Sequence, residues 1–175
     1  MSAAPASPAA GLAQVSLGDL RHELATTRRV LERVPDEHWD WKPHAKSMTL
    51  GQLAGHTANL LLWAQHTMSA SEVDFASPPP APPRHPDRAT TLAAFDASVA
   101  RVTADVDAAT DQTLGGTYTV RRGEKVMMAM PRVAMLRGMI LSHIIHHRGQ
   151  LTVYLRLLDV PVPSVYGPTA DEGSF

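Results

Sequence analysis

Apolar residues recur at helical spacing in four stretches of the chain, and each stretch is closed by a proline, a glycine or a polar run. Leu17, Leu20, Leu24, Val30, Leu31 and Val34 share one face of a first helix predicted over about 17–34. Ser16 is its expected cap, Asp19 lies in its first turn and Pro35 stops it. The segment from Asp36 to Met48, with Trp39, Trp41 and Pro43, reads as an ordered loop held by its aromatic rings. A second helix opens on the capping box Thr49-Leu50-Gly51-Gln52 and runs to about Ser69, with Leu53, His56, Leu60, Trp63 and Thr67 on one face. Pro78, Pro79, Pro80, Pro82, Pro83 and Pro86 then forbid regular structure, so 77–86 is predicted to be a long extended crossover.

Leu92, Phe95, Val99, Val102 and Val106 set a third helix over about 91–109. Gly115 and Gly116 follow, and 117–120 and 125–130 either pair weakly or form an ordered loop. The fourth helix starts at Pro131 and reaches about Leu158, a length of ~40 Å at the usual helical rise. Pro161, Pro163 and Pro168 leave the rest as an irregular tail over the surface. Four amphipathic helices without βα alternation predict an all-α bundle, with sites built from inward-facing side chains. Residues 1–15, rich in Ala, Pro and Ser, are expected to be a disordered tail, and 16–175 one helical domain.

Composition narrows the chemistry. Lys and Arg number 16 against 17 Asp and Glu, a balance that offers no electrostatic footprint for nucleic acid or an anionic membrane. No apolar run approaches the ~18 residues of a membrane span, and the N-terminal stretch lacks the basic and apolar regions of a secretory signal. A soluble cytoplasmic protein is expected. Cys is 0, which removes thiolate nucleophiles and every Cys-ligated metal site. The 9 His are therefore the place to look for chemistry.

His143 and His147 are one turn apart on the fourth helix, the spacing by which a helix offers two imidazoles to one ion. Ile144, Ile145 and His146 intervene, so the general-base glutamate of an HExxH zincin is missing. Leu136, Ile140, Leu151, Tyr154 and Leu158 continue the same stripe, which turns both imidazoles toward the core, and His56 has the equivalent place between Leu53 and Leu60. Two readings stand at this point. The three rings are separately hydrogen-bonded buried histidines, or one divalent ion satisfies all of them. His22, His38, His44, His66, His85 and His146 are placed in loops, at helix ends or on the opposite face.

The stretches Thr49 to His56, His143 to Leu151 and Tyr166 to Glu172, together with the loop from Trp39 to Pro43, resemble the DinB/YfiT-like family over nearly all of the chain after the tail. HHRGQL, at 146–151, is the specific element. The resemblance implies an up-up-down-down four-helix bundle, a homodimer, and a divalent ion on His56, His143 and His147. It also implies the transfer of a low-molecular-weight thiol of the bacillithiol or mycothiol class to a small electrophile. A metal-dependent hydrolase of small amides or esters, and a non-catalytic metal-binding stress-response protein, are the alternatives. Three imidazoles suit several metals, zinc and nickel foremost. No catalytic side chain is assigned. Asn59 and Trp63, beyond His56, are candidates for lining the pocket, and Tyr154 for orienting substrate. Gln150 is placed to donate a hydrogen bond behind a ligand, and Arg148 to meet a cofactor carboxylate or a salt bridge at a dimer face. Met128, Met130, Met135 and Met139 are expected either to fill the interior or to face a second copy.

Overall fold

The chain enters its first helix earlier than the apolar pattern predicts. In the computed structural model, which describes residues 11–173, α1 (Leu12–Leu17) starts where Asp111 Oδ1 accepts the Leu12 amide at 2.8 Å. Residues 12–15, expected in the tail, are thus helical, and 1–10 lie outside the described residues. A turn at Gly18 and Asp19 separates α1 from α2 (Leu20–Leu31), so the predicted single helix over 17–34 is two. Asp19 is the residue preceding α2, and Arg137 Nη1 donates to both of its carboxylate oxygens at 2.8 and 2.9 Å. A distant arginine therefore stabilises the break, which no local spacing reveals.

A 3-10 turn (Asp36–His38) leads through the tryptophan loop to α3 (Leu50–Ser69). The capping box forms as expected: Gln52 N donates to Thr49 Oγ1 at 3.2 Å, and Thr49 N to Gln52 Oε1 at 2.9 Å. After the short strand β1 (Glu72–Asp74) comes the proline crossover, which holds no helix or strand over 78–86. The chain continues through α4 (Arg88–Asp107), α5 (Asp111–Gly115), β2 (Thr117–Arg122) and β3 (Lys125–Pro131).

The expected all-α class is corrected by these strands. β2 and β3 form an antiparallel hairpin, and β1 lies parallel to β2, pairing Val73 with Val120. Gly123 has φ +59°, the first central position of a two-residue hairpin turn that favours glycine. Asp74 fastens β1 to that turn, because its Oδ1 accepts the Gly123 amide at 2.8 Å and Arg121 Nε reaches its Oδ2 at 3.3 Å. The fold is mostly helical with a small mixed sheet.

The last helix also departs from regularity. Pro131 ends β3, α6 (Arg132–Ala134) follows, and Met135–Leu141 is wound as a π-helix before α7 (Ser142–Leu157). Ser142 Oγ donates to the Arg137 carbonyl five residues earlier, at 3.0 Å. Such wide turns are uncommon and cluster at functional sites. This one directly precedes His143.

Helices α2, α3, α4 and α7 pack on one another through Leu24, Leu53, Phe95, Ile144 and Leu151, all at most 2% exposed. No described helix is long and apolar enough to cross a membrane. Among these apolar groups lies one buried ion pair, Arg148 Nη2 to Glu23 Oε2 at 2.7 Å, with side chains 1% and 6% exposed. Arg148 also donates to the Glu23 carbonyl at 3.1 Å and to Tyr166 Oη at 2.7 Å, and Tyr166 Oη donates to Glu23 at 3.0 Å. The tail is bound down by this network and by the pairs of Arg29 with Glu172 and Arg156 with Asp171.

Truncating one member of a buried pair strands the other charge. Arg148→Met is expected to destabilise the fold by about 3–5 kcal/mol, and Glu23→Leu/Arg148→Met to recover most of that loss. Urea unfolding checks it, and a single variant as stable as the parent contradicts the pair's structural role.

Candidate metal centre

Three imidazoles from two helices meet in one place. His56 comes from α3, and His143 and His147 from successive turns of α7, which packs against α3. One ring nitrogen from each lies within 4.8 Å of the others. The ring centres of His56 are 5.4 Å from His143 and 4.6 Å from His147, and those two are 4.6 Å apart. No carboxylate belongs to the group.

The rings are neutral near pH 7. Burial pushes all three below the ordinary imidazole value, and each positive neighbour among them would lower the others further. His147 has its tautomer set from behind: Nδ1–H donates to Gln150 Oε1 at 2.7 Å, which leaves Nε2 as a bare lone pair. That lone pair points at His143 Nε2, 2.8 Å away. His143 in turn is hydrogen-bonded to the Met139 backbone in the π-turn. Two imidazole nitrogens so close need a proton or a cation between them. A donor set of three neutral imidazoles suits a divalent ion and leaves a coordination position open. The three-histidine group could therefore hold a metal.

The sequence-selected neighbours divide into those the structure brings here and those it employs elsewhere. Gln150 is at the group, as an acceptor of the His147 hydrogen rather than the donor expected. Asn59, one turn from His56, spends its side chain on the crossover: Nδ2 donates to the Pro83 carbonyl at 2.8 Å, and Oδ1 accepts from His85 Nε2 at 3.1 Å. Tyr154 braces the tryptophan loop, with its ring edge-on to Trp41 at 5.7 Å and its hydroxyl donating to the Met48 carbonyl at 3.3 Å. Arg148 is buried against Glu23 inside the protomer, so neither a cofactor carboxylate nor a dimer-face partner reaches it. His146 is exposed, with its ring centre 5.0 Å from that of His147. Trp63 does line a cavity beside the histidines.

Two openings flank His56. One, of about 240 Å³, is walled by apolar side chains and also touches His143. The other, of about 400 Å³, is polar and lies under the crossover, with Asp40, Gln52, Asn59 and His85 on its walls. Sequence reasoning set His85 aside as a loop residue. Its ring, held neutral by burial, is fixed by Asn59, and its carbonyl accepts from the Trp39 indole at 3.2 Å. Trp39 in turn lies so close over Gly51 that any side chain there would collide with the indole. The Asn59-x₃-Trp63 pattern after His56 gave no means of separating the two roles, since both positions lie on α3.

Known proteins resemble this chain in sequence and in fold. The model of the DinB family matches residues 14–174. An uncharacterized protein of Bacillus subtilis (strain 168), YrdA, is 31% identical over 152 residues, 86% of this chain and 85% of its own. Two solved structures share the fold. A DinB-like protein from Bacillus cereus superposes with a TM-score of 0.65 at 24% identity, over 86% of this chain and 95% of that one. A DinB-like protein from Bacillus subtilis gives 0.61 at 20% identity, over 83% and 92%. With the family model covering nearly all of the described chain, this protein belongs to the DinB family.

Proposed function

We propose that the chain holds one divalent ion, zinc or nickel, on His56, His143 and His147, and transfers a low-molecular-weight thiol of the bacillithiol or mycothiol class to a small electrophile. The observation that carries the reading is a cluster of three neutral imidazoles with no acidic residue in it, in a chain without cysteine. No side chain there is a strong nucleophile or a carboxylate base, so the nucleophile has to arrive from outside. A divalent ion supplies a Lewis acid that lowers the pKa of a thiol or water in its open position. His56 and His143 border both the ion's place and the apolar cavity. Gln150 holds His147 in the ligating tautomer. The opening under the crossover offers Asp40 and Gln52 to the hydroxyl and amide groups of a thiol cofactor.

The same reading takes the four long helical segments as the family's up-up-down-down bundle and the protein as a homodimer. Val126 and Met127, each 58% exposed on the edge strand β3, are the apolar surface a second copy would cover. Light scattering is expected to give twice the chain mass for the parent and the chain mass for Met127→Lys. A parent that stays at the chain mass over a wide concentration range refutes the dimer.

Elemental analysis of the purified protein is expected to find about one ion per chain, as a single three-ligand site requires. His143→Ala/His147→Ala should lose it and His146→Ala should keep it. Full occupancy in the double variant overturns the ligand assignment.

With metal bound, chlorodinitrobenzene and a panel of bacillithiol, mycothiol and glutathione should give conjugate at an accelerated rate. A carbon–sulfur bond forms, chloride leaves and the thiol proton passes to solvent. His147→Ala should abolish the acceleration. Cleavage of amide or ester substrates without thiol would establish the hydrolase instead, and inertness toward both at full occupancy a non-catalytic metal protein.

A further inference from the structure

We propose that the apolar cavity beside His56 and His143 binds a compact, uncharged molecule with an aromatic body, its one polar end turned toward the three imidazoles. This deepens the reading above by naming the class of electrophile, and it rests on that reading only for the direction of the polar end.

Size comes first. The cavity measures about 240 Å³, against the ~150 Å³ apolar cavity that holds benzene. One substituted ring fits, and a helix or peptide segment does not. The walls favour that ring. Trp63, Phe75 and Tyr118 contribute aromatic faces and edges, Trp63 and Phe75 with centres 5.8 Å apart and planes inclined by 46°. Met128, Met135 and Met139 contribute thioethers, which make favourable contacts with aromatic rings.

Charge is excluded by the same walls. No Lys, Arg, Asp or Glu lines the cavity. The Tyr118 hydroxyl already shares a hydrogen bond of 2.7 Å with His66 Nδ1, and a second with Thr67. No described buried side-chain nitrogen or oxygen lacks a partner. In the metal-free protein an anionic or cationic ligand would thus be buried with nothing to compensate it. The exception to this uniform surface is the end formed by His56 and His143, which fixes where a ligand's polar atom goes.

Three separate parts of the chain build the cavity. The π-turn supplies Met135 and Met139, the sheet supplies Tyr118 and Met128, and α3 supplies Trp63. Met139 and Phe75, 45% and 37% exposed, stand at its rim.

Methionine-methyl NMR on the full chain tests the proposal, with benzyl alcohol, benzoate and benzylammonium as probes, before and after removal of metal by a chelator. Benzyl alcohol should shift the Met128, Met135 and Met139 methyls saturably and leave Met48 and Met68 in place. In the chelated protein benzoate and benzylammonium should bind about tenfold more weakly or worse, given the absent counter-charges. Met128→Trp, or Met139→Trp at the rim if the first does not fold, should abolish the shifts while the metal content is unchanged. Benzoate binding the chelated protein as tightly as benzyl alcohol, or shifts spread evenly over all 8 methionine methyls, would overturn the proposal. Benzyl alcohol binding in a protein that carries no metal as purified and takes none up would leave it standing and remove the metal reading instead.

Discussion

Two imidazole nitrogens 2.8 Å apart, one of them deprived of its hydrogen by Gln150, set the constraint around which this fold is arranged. Bare lone pairs at that distance repel unless a proton or a cation lies between them, so packing interactions must hold α7, which carries both rings, in place against its neighbours. Ile144, Leu151 and Leu155 on α7 supply them, fully buried against the neighbouring helices and flanking the histidine turn. Arg148 adds to the clamp from the residue immediately after His147. Its guanidinium goes to Glu23 on α2, while the imidazole before it goes to the cluster. Adjacent positions on one helix thus face different tasks, about 100° apart, one holding the scaffold and the other presenting chemistry.

The remaining elements adjust the surroundings of that cluster rather than its existence. The proline crossover cannot make backbone ladders, so it needs side-chain partners to stay in place, and Asn59 and Trp39 provide them. Its route past Gly55, with Trp39 over Gly51, closes the other side of His56. The sheet and π-turn close the apolar side. His56 stands between an apolar cavity and a half-polar opening.

Much of this was legible in the residues. The capping box of Thr49 and Gln52, the proline density over 78–86 and the four-residue spacing of His143 and His147 are local signals with local causes, and each formed as read. What escaped has its cause at long range. β1 is three residues with only Val73 buried, too short for any period, and exists because β2 and the Asp74 carboxylate receive it. The break at Gly18 is stabilised by Arg137, more than a hundred residues away. Asn59 and Tyr154 read as groups facing a pocket and Arg148 as one facing a cofactor carboxylate or a dimer face, but the sequence does not say which neighbour waits for each. For each of them that neighbour came from a loop or another helix.

The π-turn joins these long-range and local causes. A regular helix from Pro131 would carry the stripe of Leu136, Ile140 and His143 forward without interruption, as the spacing suggested. The wider turn over Met135–Leu141 places both Met139 and Ile140 on the cavity and hands the Met139 backbone to His143. A wide turn gives up regular helical hydrogen bonding and persists only where its surroundings favour it. Here those surroundings are the sheet on one side and the histidine cluster on the other. The irregularity therefore joins the wall of the apolar cavity to the helix that carries His143 and His147.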